Sequence, residues 1–377
     1  MENNGFKRLG DYVREVDVRN TDSRCDKLVG LTISKAFIPS VANTIGTDLS
    51  KYKIISENQF ACSLMQVSRD RKIPVAIYKG EDAIMSPAYP IFEVCSHELL
   101  PDYLQLWFSR EEFDREATFY AIGGVRGSLD WDDFMDMRLP IPSISEQKRI
   151  VSQYKAIEGR KNNNACLINE LEGALKCLFS EKVSSFLSHE TIPSGWTRTN
   201  LPGIAGFLNG VACQKYESTD DTSSYPVIKI REMGIGNTDG LSDRVSTLIP
   251  QKYIISKGDL LFSWSASLSV DVWCGEKGAL NQHIFKVLPK GCPTWFCYFW
   301  IKHYLEQWTN FISAKATSMG HIKKEDLFSA AVVLPSSDYL NNLDKQMNPL
   351  FGYLIALKRE QLLADELKKA MLVKLSN

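Results

Sequence analysis

The chain says nearly the same thing twice, and that repetition limits its fold more than any other feature. Lys53-Ile54-Ile55-Ser56 returns as Tyr253-Ile254-Ile255-Ser256, and Ile91-Phe92-Glu93-Val94 returns as Ile284-Phe285-Lys286-Val287. Tyr103-Leu104-Gln105-Leu106-Trp107-Phe108 returns as Phe296-Cys297-Tyr298-Phe299-Trp300-Ile301, and Leu139-Pro140-Ile141-Pro142 as Val332-Val333-Leu334-Pro335. An offset of 193 to 200 residues is far beyond the roughly 20 to 50 of a solenoid unit. It fits a duplicated domain, and two diverged copies suggest one task performed on two different targets.

Each copy has room for its own core, since 377 residues suffice for two or three domains. No apolar run approaches the roughly 18 residues needed to cross a bilayer, and the first residues lack a basic stretch followed by an apolar one. Nine cysteines at irregular spacing, with no Cys-x-x-Cys pair, fit free thiols in a reducing cytoplasm better than a disulfide framework or a zinc site. The expected location is therefore cytoplasmic, with no membrane partner.

Charge is uneven. Residues 1–142 hold 17 Lys and Arg against 22 Asp and Glu, a net −5, whereas residues 190–335 hold 14 against 13, a net +1. A face that binds phosphate must then come from local clustering, because bulk charge does not supply one.

In the first copy, residues 27–37, 53–62 and 74–78 read as strands, rich in Val, Ile and Phe with turn residues between them. Residues 99–120 read as a helix, followed by the flexible Gly123-Gly124-Val125-Arg126-Gly127. Then the period changes. Ile150, Tyr154, Ile157, Lys161, Asn164, Ile168, Leu171, Leu175 and Leu178 follow in steps of four and three, a coiled-coil seam with a polar middle. Ser143 or Ser145 makes its start, and it can run to about Leu187. Roughly 40 residues at about 1.5 Å each give a rod on the order of 60 Å.

The second copy, residues 190–335, has a strand over 226–230 and a helix over 294–311. A second seam follows it, through Leu340, Leu343, Met347, Leu350, Leu354, Leu357, Gln361, Ala364, Lys368 and Met371, with a kink or a true start expected at Pro349. Each apolar stripe needs a cover, and the other helix is the nearest one. Both parallel and antiparallel pairing are open at this point; an antiparallel pair relates the copies by a pseudo-two-fold axis and puts one globular domain at each end of a rod.

Leu139-Pro140-Ile141-Pro142-Ser143-Ile144-Ser145-Glu146-Gln147-Lys148-Arg149-Ile150 resembles the segment that joins a target recognition domain to its helix in type I restriction–modification specificity subunits. Gly258-Asp259-Leu260-Leu261-Phe262-Ser263-Trp264-Ser265, followed by Leu280-Asn281-Gln282-His283-Ile284-Phe285-Lys286-Val287, is similar to such a domain. The second copy departs from the joining pattern at Val333-Leu334-Pro335-Ser336-Ser337-Asp338-Tyr339, which lacks the second Pro and the Glu-Gln pair.

The resemblance implies a mixed α/β (α+β) fold, with two target recognition domains (1–142 and 190–335) joined by two spacer helices (143–189 and 336–377) in an antiparallel coiled coil. It implies a non-catalytic subunit whose two domains each read half of a split, double-stranded DNA sequence. The helix pair sets the gap and docks two adenine methyltransferase subunits. S-adenosylmethionine belongs to those partners, and ATP with magnesium to motor-nuclease subunits; none is expected on this chain. Half-sites one turn apart lie roughly 34–36 Å from each other, within reach of such a rod.

Other motifs point away from catalysis. Asn348-Pro349-Leu350-Phe351 is superficially similar to the Asn-Pro-Pro-Phe loop of adenine methyltransferases, but it falls on the seam. No Gly-x-x-x-x-Gly-Lys phosphate loop is present, and the five histidines never pair at metal spacing. Base readout needs Arg, Lys, Asn or Gln at base edges. The candidates are Arg69, Arg71 and Lys72 in a loop between strands, Arg126 in the Gly-rich loop, Lys229 and Arg231 after a strand, and Lys315, Ser318 and His321 in the loop matching Arg126. Three rivals stay open: a specificity subunit of a related fused methyltransferase–nuclease, a self-standing adenine-N6 methyltransferase, and a coiled-coil scaffold.

Overall fold

The computed structural model describes residues 5–40, 46–65, 67–123, 127–218, 223–314 and 324–375. The chain forms two compact units, Met1–Gly159 with Glu366–Asn377, and Arg160–Asp365. The division falls inside both long helices.

The main sheet of the first unit is antiparallel, in the order Val13–Val16, Ile91–Val94, Phe60–Cys62, Val75–Ile77. That of the second unit has the same order: Ala205–Asn209, Ile284–Pro289, Leu260–Ser263, Ser269–Val272. A ring pair spans the central strands of each, Phe60 opposite Phe92 and Phe262 opposite Phe285, but the register is shifted by two residues, since Leu260, the counterpart of Phe60, faces Val287. The duplication seen in the sequence is thus a duplication of topology.

Residues 53–62 form two strands of different sheets rather than one. Lys53–Ile55 pairs with Ala83–Met85, while Phe60–Cys62 joins the main sheet. Asn58 turns the chain between them at φ 68°, and its counterpart Gly258 does so at φ 95°. Both residue types tolerate this left-handed region. Asn58 N donates to Tyr78 O at 2.9 Å and Gly258 N to Trp273 O at 2.9 Å, so the same corner is built twice.

Two other expectations are corrected. Residues 27–37 make a hairpin, Val29–Leu31 against Phe37–Pro39, because Lys35 reverses the chain at φ 61° and Thr32 Oγ1 accepts from Ala36 N at 3.1 Å. The helix over 99–120 is two helices, Pro101–Phe108 and Glu111–Tyr120. Ser109 Oγ donates to Gln105 O at 2.8 Å, and Arg110 leaves the helix to lay its guanidinium 3.8 Å from the centre of the Trp107 ring. The matching segment of the second unit is one helix, Thr294–Ala314.

Aromatic rings fill both cores. Phe60, Phe92, Phe108 and Phe134 meet at 5.2 to 6.1 Å in the first unit. In the second, Phe179 of the first long helix lies 5.3 Å from Trp300 and 6.0 Å from Phe296. Ring pairs of this geometry add about 1 kcal/mol each beyond the area they bury.

The first long helix, Ile144–Lys182, starts after Ser143, whose Oγ accepts from Glu146 N at 3.3 Å. It tightens into a 3₁₀ turn at Ser184–Leu187 instead of continuing as α-helix. The second, Ser337–Lys374, runs through Pro349 without starting there. A proline inside a helix costs about 3 kcal/mol. Leu340, Leu343 and Met347 before it and Phe351, Leu354 and Leu357 after it are all buried, at about 1.5–3 kcal/mol each, so packing overrides the proline. Leu350, expected on the seam, is 42% exposed, and Phe351 takes its place against Tyr298 and Phe299 at 5.2 and 6.1 Å. The aromatic face of the Thr294–Ala314 helix selects the ring over the leucine.

Within each unit the two helices run antiparallel. In the second unit Arg160 bonds Glu360 at 2.7 Å, Lys161 reaches Asp365 at 2.5 Å, and Tyr339 Oη donates to Lys182 O at 3.3 Å. In the first, Lys368 meets Glu158 at 2.9 Å, and Ile150 and Tyr154 share a core with Leu372 and Leu375. Leu175 and Leu354 are fully buried, Leu357 and Ala364 nearly so, while Ile157, Ile168, Leu171, Leu178 and Met371 are half-covered. Asn164 is the polar seam residue, 2% exposed beside Glu360, whose carboxyl is held below its usual range by Arg160 and then Asn164. Asn164→Leu is expected to raise stability by about 1 kcal/mol, read as a higher urea midpoint at unchanged slope; a drop in midpoint would refute the seam assignment.

Candidate nucleic-acid interface

In the first unit, the connection from Phe60–Cys62 to Val75–Ile77 carries the three expected cations. Arg69 sits in the helical turn Val67–Asp70 and bonds Asp70 through two nitrogens at 2.7 and 3.0 Å. Arg71, at φ 51°, and Lys72 are exposed. A residue that sequence reasoning missed anchors this stretch: Asp114 accepts from Ile73 N at 3.1 Å and pairs with Lys35 at 2.8 Å. Burial holds the Lys35 ammonium below its ordinary range; the Asp114 carboxylate opposes that shift, and the charge of Lys72 adds to it. No local signal links residues 35, 73 and 114.

Gly127 and Leu129 approach the same connection. Leu129 N donates to Leu64 O at 2.9 Å, and a Cβ at Gly127, where φ is +72°, would fall 2.0 Å from Ser68 Oγ. Arg126 itself lies outside the described residues, as do Lys315, Ser318 and His321.

In the second unit the strand stops at Ile228, so Lys229 caps the helix Ile230–Ile235 and Arg231 lies on it. Lys229 Nζ pairs with Asp243. Arg231 grips Asp239 at 2.7 and 2.8 Å and Glu232 at 2.5 Å. These bonds push the Arg231 guanidinium further up and hold Asp239 well below the usual carboxylate range. Both cations are neutralised by neighbouring acids, whereas among the described residues no acid pairs with Arg71 or Lys72.

Gln147 of the joining segment has a role that the motif alone does not reveal. It is fully buried; its Oε1 accepts from Leu100 N at 2.8 Å, and its Nε2 donates to Glu98 O at 2.7 Å and Pro142 O at 2.8 Å. The side chain ties the start of the first long helix to the body of its unit. Among the described residues, no three His, Cys, Asp or Glu side chains converge as a metal site would require, and no helix is long and apolar enough to cross a membrane.

Residues 193–364 match the family described as the type I restriction modification DNA specificity domain. The match covers residues 193–364 of the second unit, leaving out its stretch of the first long helix. A 112-residue stretch is 30% identical to the type I restriction enzyme EcoBI specificity subunit of Escherichia coli, covering 30% of this chain and 22% of that protein, so the chain spans about a fifth of its curated relative. The fold is similar to a type I restriction-modification system S subunit from M. genitalium, at 14% identity and a TM-score of 0.53 over 100% of this chain and 97% of that one. The HsdS subunit from Thermoanaerobacter tengcongensis aligns over 98% of this chain and 95% of that one, at 16% identity and a TM-score of 0.40.

Proposed function

We propose that the chain is the DNA sequence-specificity subunit of a type I restriction–modification complex, with no catalytic step of its own. The observation that carries this is the specificity-domain match over residues 193–364, joined to a first unit that repeats the same sheet order. Each unit reads one half of a bipartite duplex target. The helix pair fixes the spacing of the halves and docks two adenine methyltransferase subunits, which hold the S-adenosylmethionine. Motor-nuclease subunits supply ATP-driven, magnesium-dependent cutting.

In the first unit, Arg71 and Lys72 are the phosphate contacts, joined by Arg69 where DNA phosphate displaces Asp70. Binding then weakens steeply with salt, by roughly one logarithmic unit of slope per phosphate neutralised. The test is an exchange. Replacing residues 1–142 with the corresponding domain of another specificity subunit, and mapping methylated adenines, is expected to change one half of the recognised sequence and leave the other intact. A change in both halves refutes the division of labour, and sequence-indifferent methylation by the unaltered complex refutes the function.

A further inference from the structure

One end of the second unit's main sheet presents polar side chains in an arrangement that packing alone does not require. Strands Ala205–Asn209 and Leu260–Ser263 end there, and Ile284–Pro289 begins there. Asn209 and His283 are exposed, while Trp264, Ser265 and Gln282 are half-buried. Trp264 Nε1 donates to Asn209 Oδ1 at 3.1 Å, and its ring lies 5.7 Å from Phe285 and 6.0 Å from His283. Ser265 Oγ is 3.1 Å from His283 Nδ1, and Gln282 Nε2 is 3.4 Å from His283 Nε2. Lys229 stands at this same end, because Ile228 pairs in parallel with Leu280 and Asn281 N donates to Ile228 O at 3.2 Å.

The backbone beneath this cluster is fixed at some cost. Ala266 adopts φ 56°, a strained value for a residue with a Cβ, and Ser263 Oγ holds that turn by donating to Ser267 O at 2.7 Å. A Cβ at Gly210 would fall 2.1 Å from Asn281 O, so the two loops touch backbone to backbone. A loop that merely joins strands needs neither the strained turn nor an indole bonded to an exposed amide. A surface that must present polar groups in fixed positions needs both.

We propose that Gln282 and His283 read base edges in the DNA major groove, with Trp264, Asn209 and Ser265 as positioning residues. This rests on the specificity-subunit reading above and names the residues that carry it in the second unit. The chemistry selects the base. A glutamine amide offers a donor and an acceptor in one plane, matching N6 and N7 of adenine, whereas guanine is read mainly by Arg or Lys. The five side chains of the cluster include neither, and Lys229 at the same end is held by Asp243, so the half-site read here contains an A·T pair contacted by Gln282.

The experiment selects bound sequences from a randomised duplex library, using the full chain assembled with the methyltransferase subunit of its type I system. Wild type is compared with Gln282→Ala and His283→Ala, with melting temperature as the check on folding. The expected result is a bipartite motif for wild type, and for each variant about 10- to 100-fold less discrimination at one or two adjacent positions of a single half. For Gln282→Ala that position is an A·T pair. A Trp264→Phe variant, which keeps the ring but loses the bond to Asn209, is expected to blur the same half without abolishing binding. If wild type selects a motif and both alanine variants select it unchanged, or lose both halves alike, the inference falls while the specificity reading stands. If wild type selects no motif, the reading falls and the inference with it.

Discussion

Gln147→Ala is expected to destabilise the first unit by about 3 kcal/mol, lowering its urea midpoint at nearly constant slope. The size follows from what the side chain satisfies. Three backbone groups, Leu100 N, Glu98 O and Pro142 O, lose their partner at a site closed to water. Each unsatisfied buried group costs about 1–3 kcal/mol, with some recovered by relaxation. The adjacent Glu146 is the internal control. It pairs with Arg149 on the exposed helix surface, so Glu146→Ala is expected to cost less than about 0.5 kcal/mol. Equal losses from the two variants would sink this account. The joining motif then has one residue that locks and one that merely decorates.

Glu172→Gln is expected to cost the second unit about 2–3 kcal/mol at neutral pH. Glu172, on the first long helix, accepts from Tyr298 and pairs with Lys302, both on the helix Thr294–Ala314. Lys358 of the second long helix adds its charge and is itself tied to Asp271 at 2.7 Å. Burial alone raises a carboxyl, yet Lys302, Tyr298 and Lys358 together hold Glu172 below its ordinary value. A folded-state value below the unfolded one makes a contribution that is fully present above the unfolded pKa of about 4.3. It is lost as pH falls through that value toward the folded one. The gap in melting temperature between wild type and Glu172→Gln should be widest at pH 7 and shrink below about pH 4.5. A gap that stays constant with pH would show that the carboxylate's charge is not what matters.

The repeat and the two long helices were legible in the sequence because both are periodic signals that survive divergence. A stripe in steps of three and four reports helix whatever the partner is, and the paired Lys53-Ile54-Ile55 and Tyr253-Ile254-Ile255 corners report a shared turn. What escaped was decided by contacts between distant residues. The break at Ser109 depends on Arg110 finding Trp107, and the choice of Phe351 over Leu350 depends on Tyr298 and Phe299. Pro349 advertises a helix start that buried neighbours on both sides overrule. At the candidate site, Arg71 and Lys72 were found as a run of charge, but the acids that neutralise Lys229 and Arg231 lie 14 and 8 residues away. Spacing alone gives no sign of which cations keep their charge for a partner.

The first strand of each unit pairs with its last: Phe6–Arg8 lies against Arg138–Pro140, and Thr197–Asn200 against Ala331–Leu334. Antiparallel neighbours hold their chains about 5 Å apart, so everything between them hangs from a narrow, closed doorway. Such a doorway gives residues 9–137 and 201–330 one entry and one exit each, but the helices outside also reach in, Gln147 to Leu100 and Glu98, and Glu172 to Lys302 and Tyr298. An exchange of either segment must therefore bring with it partners for Gln147 or Glu172 on the first long helix.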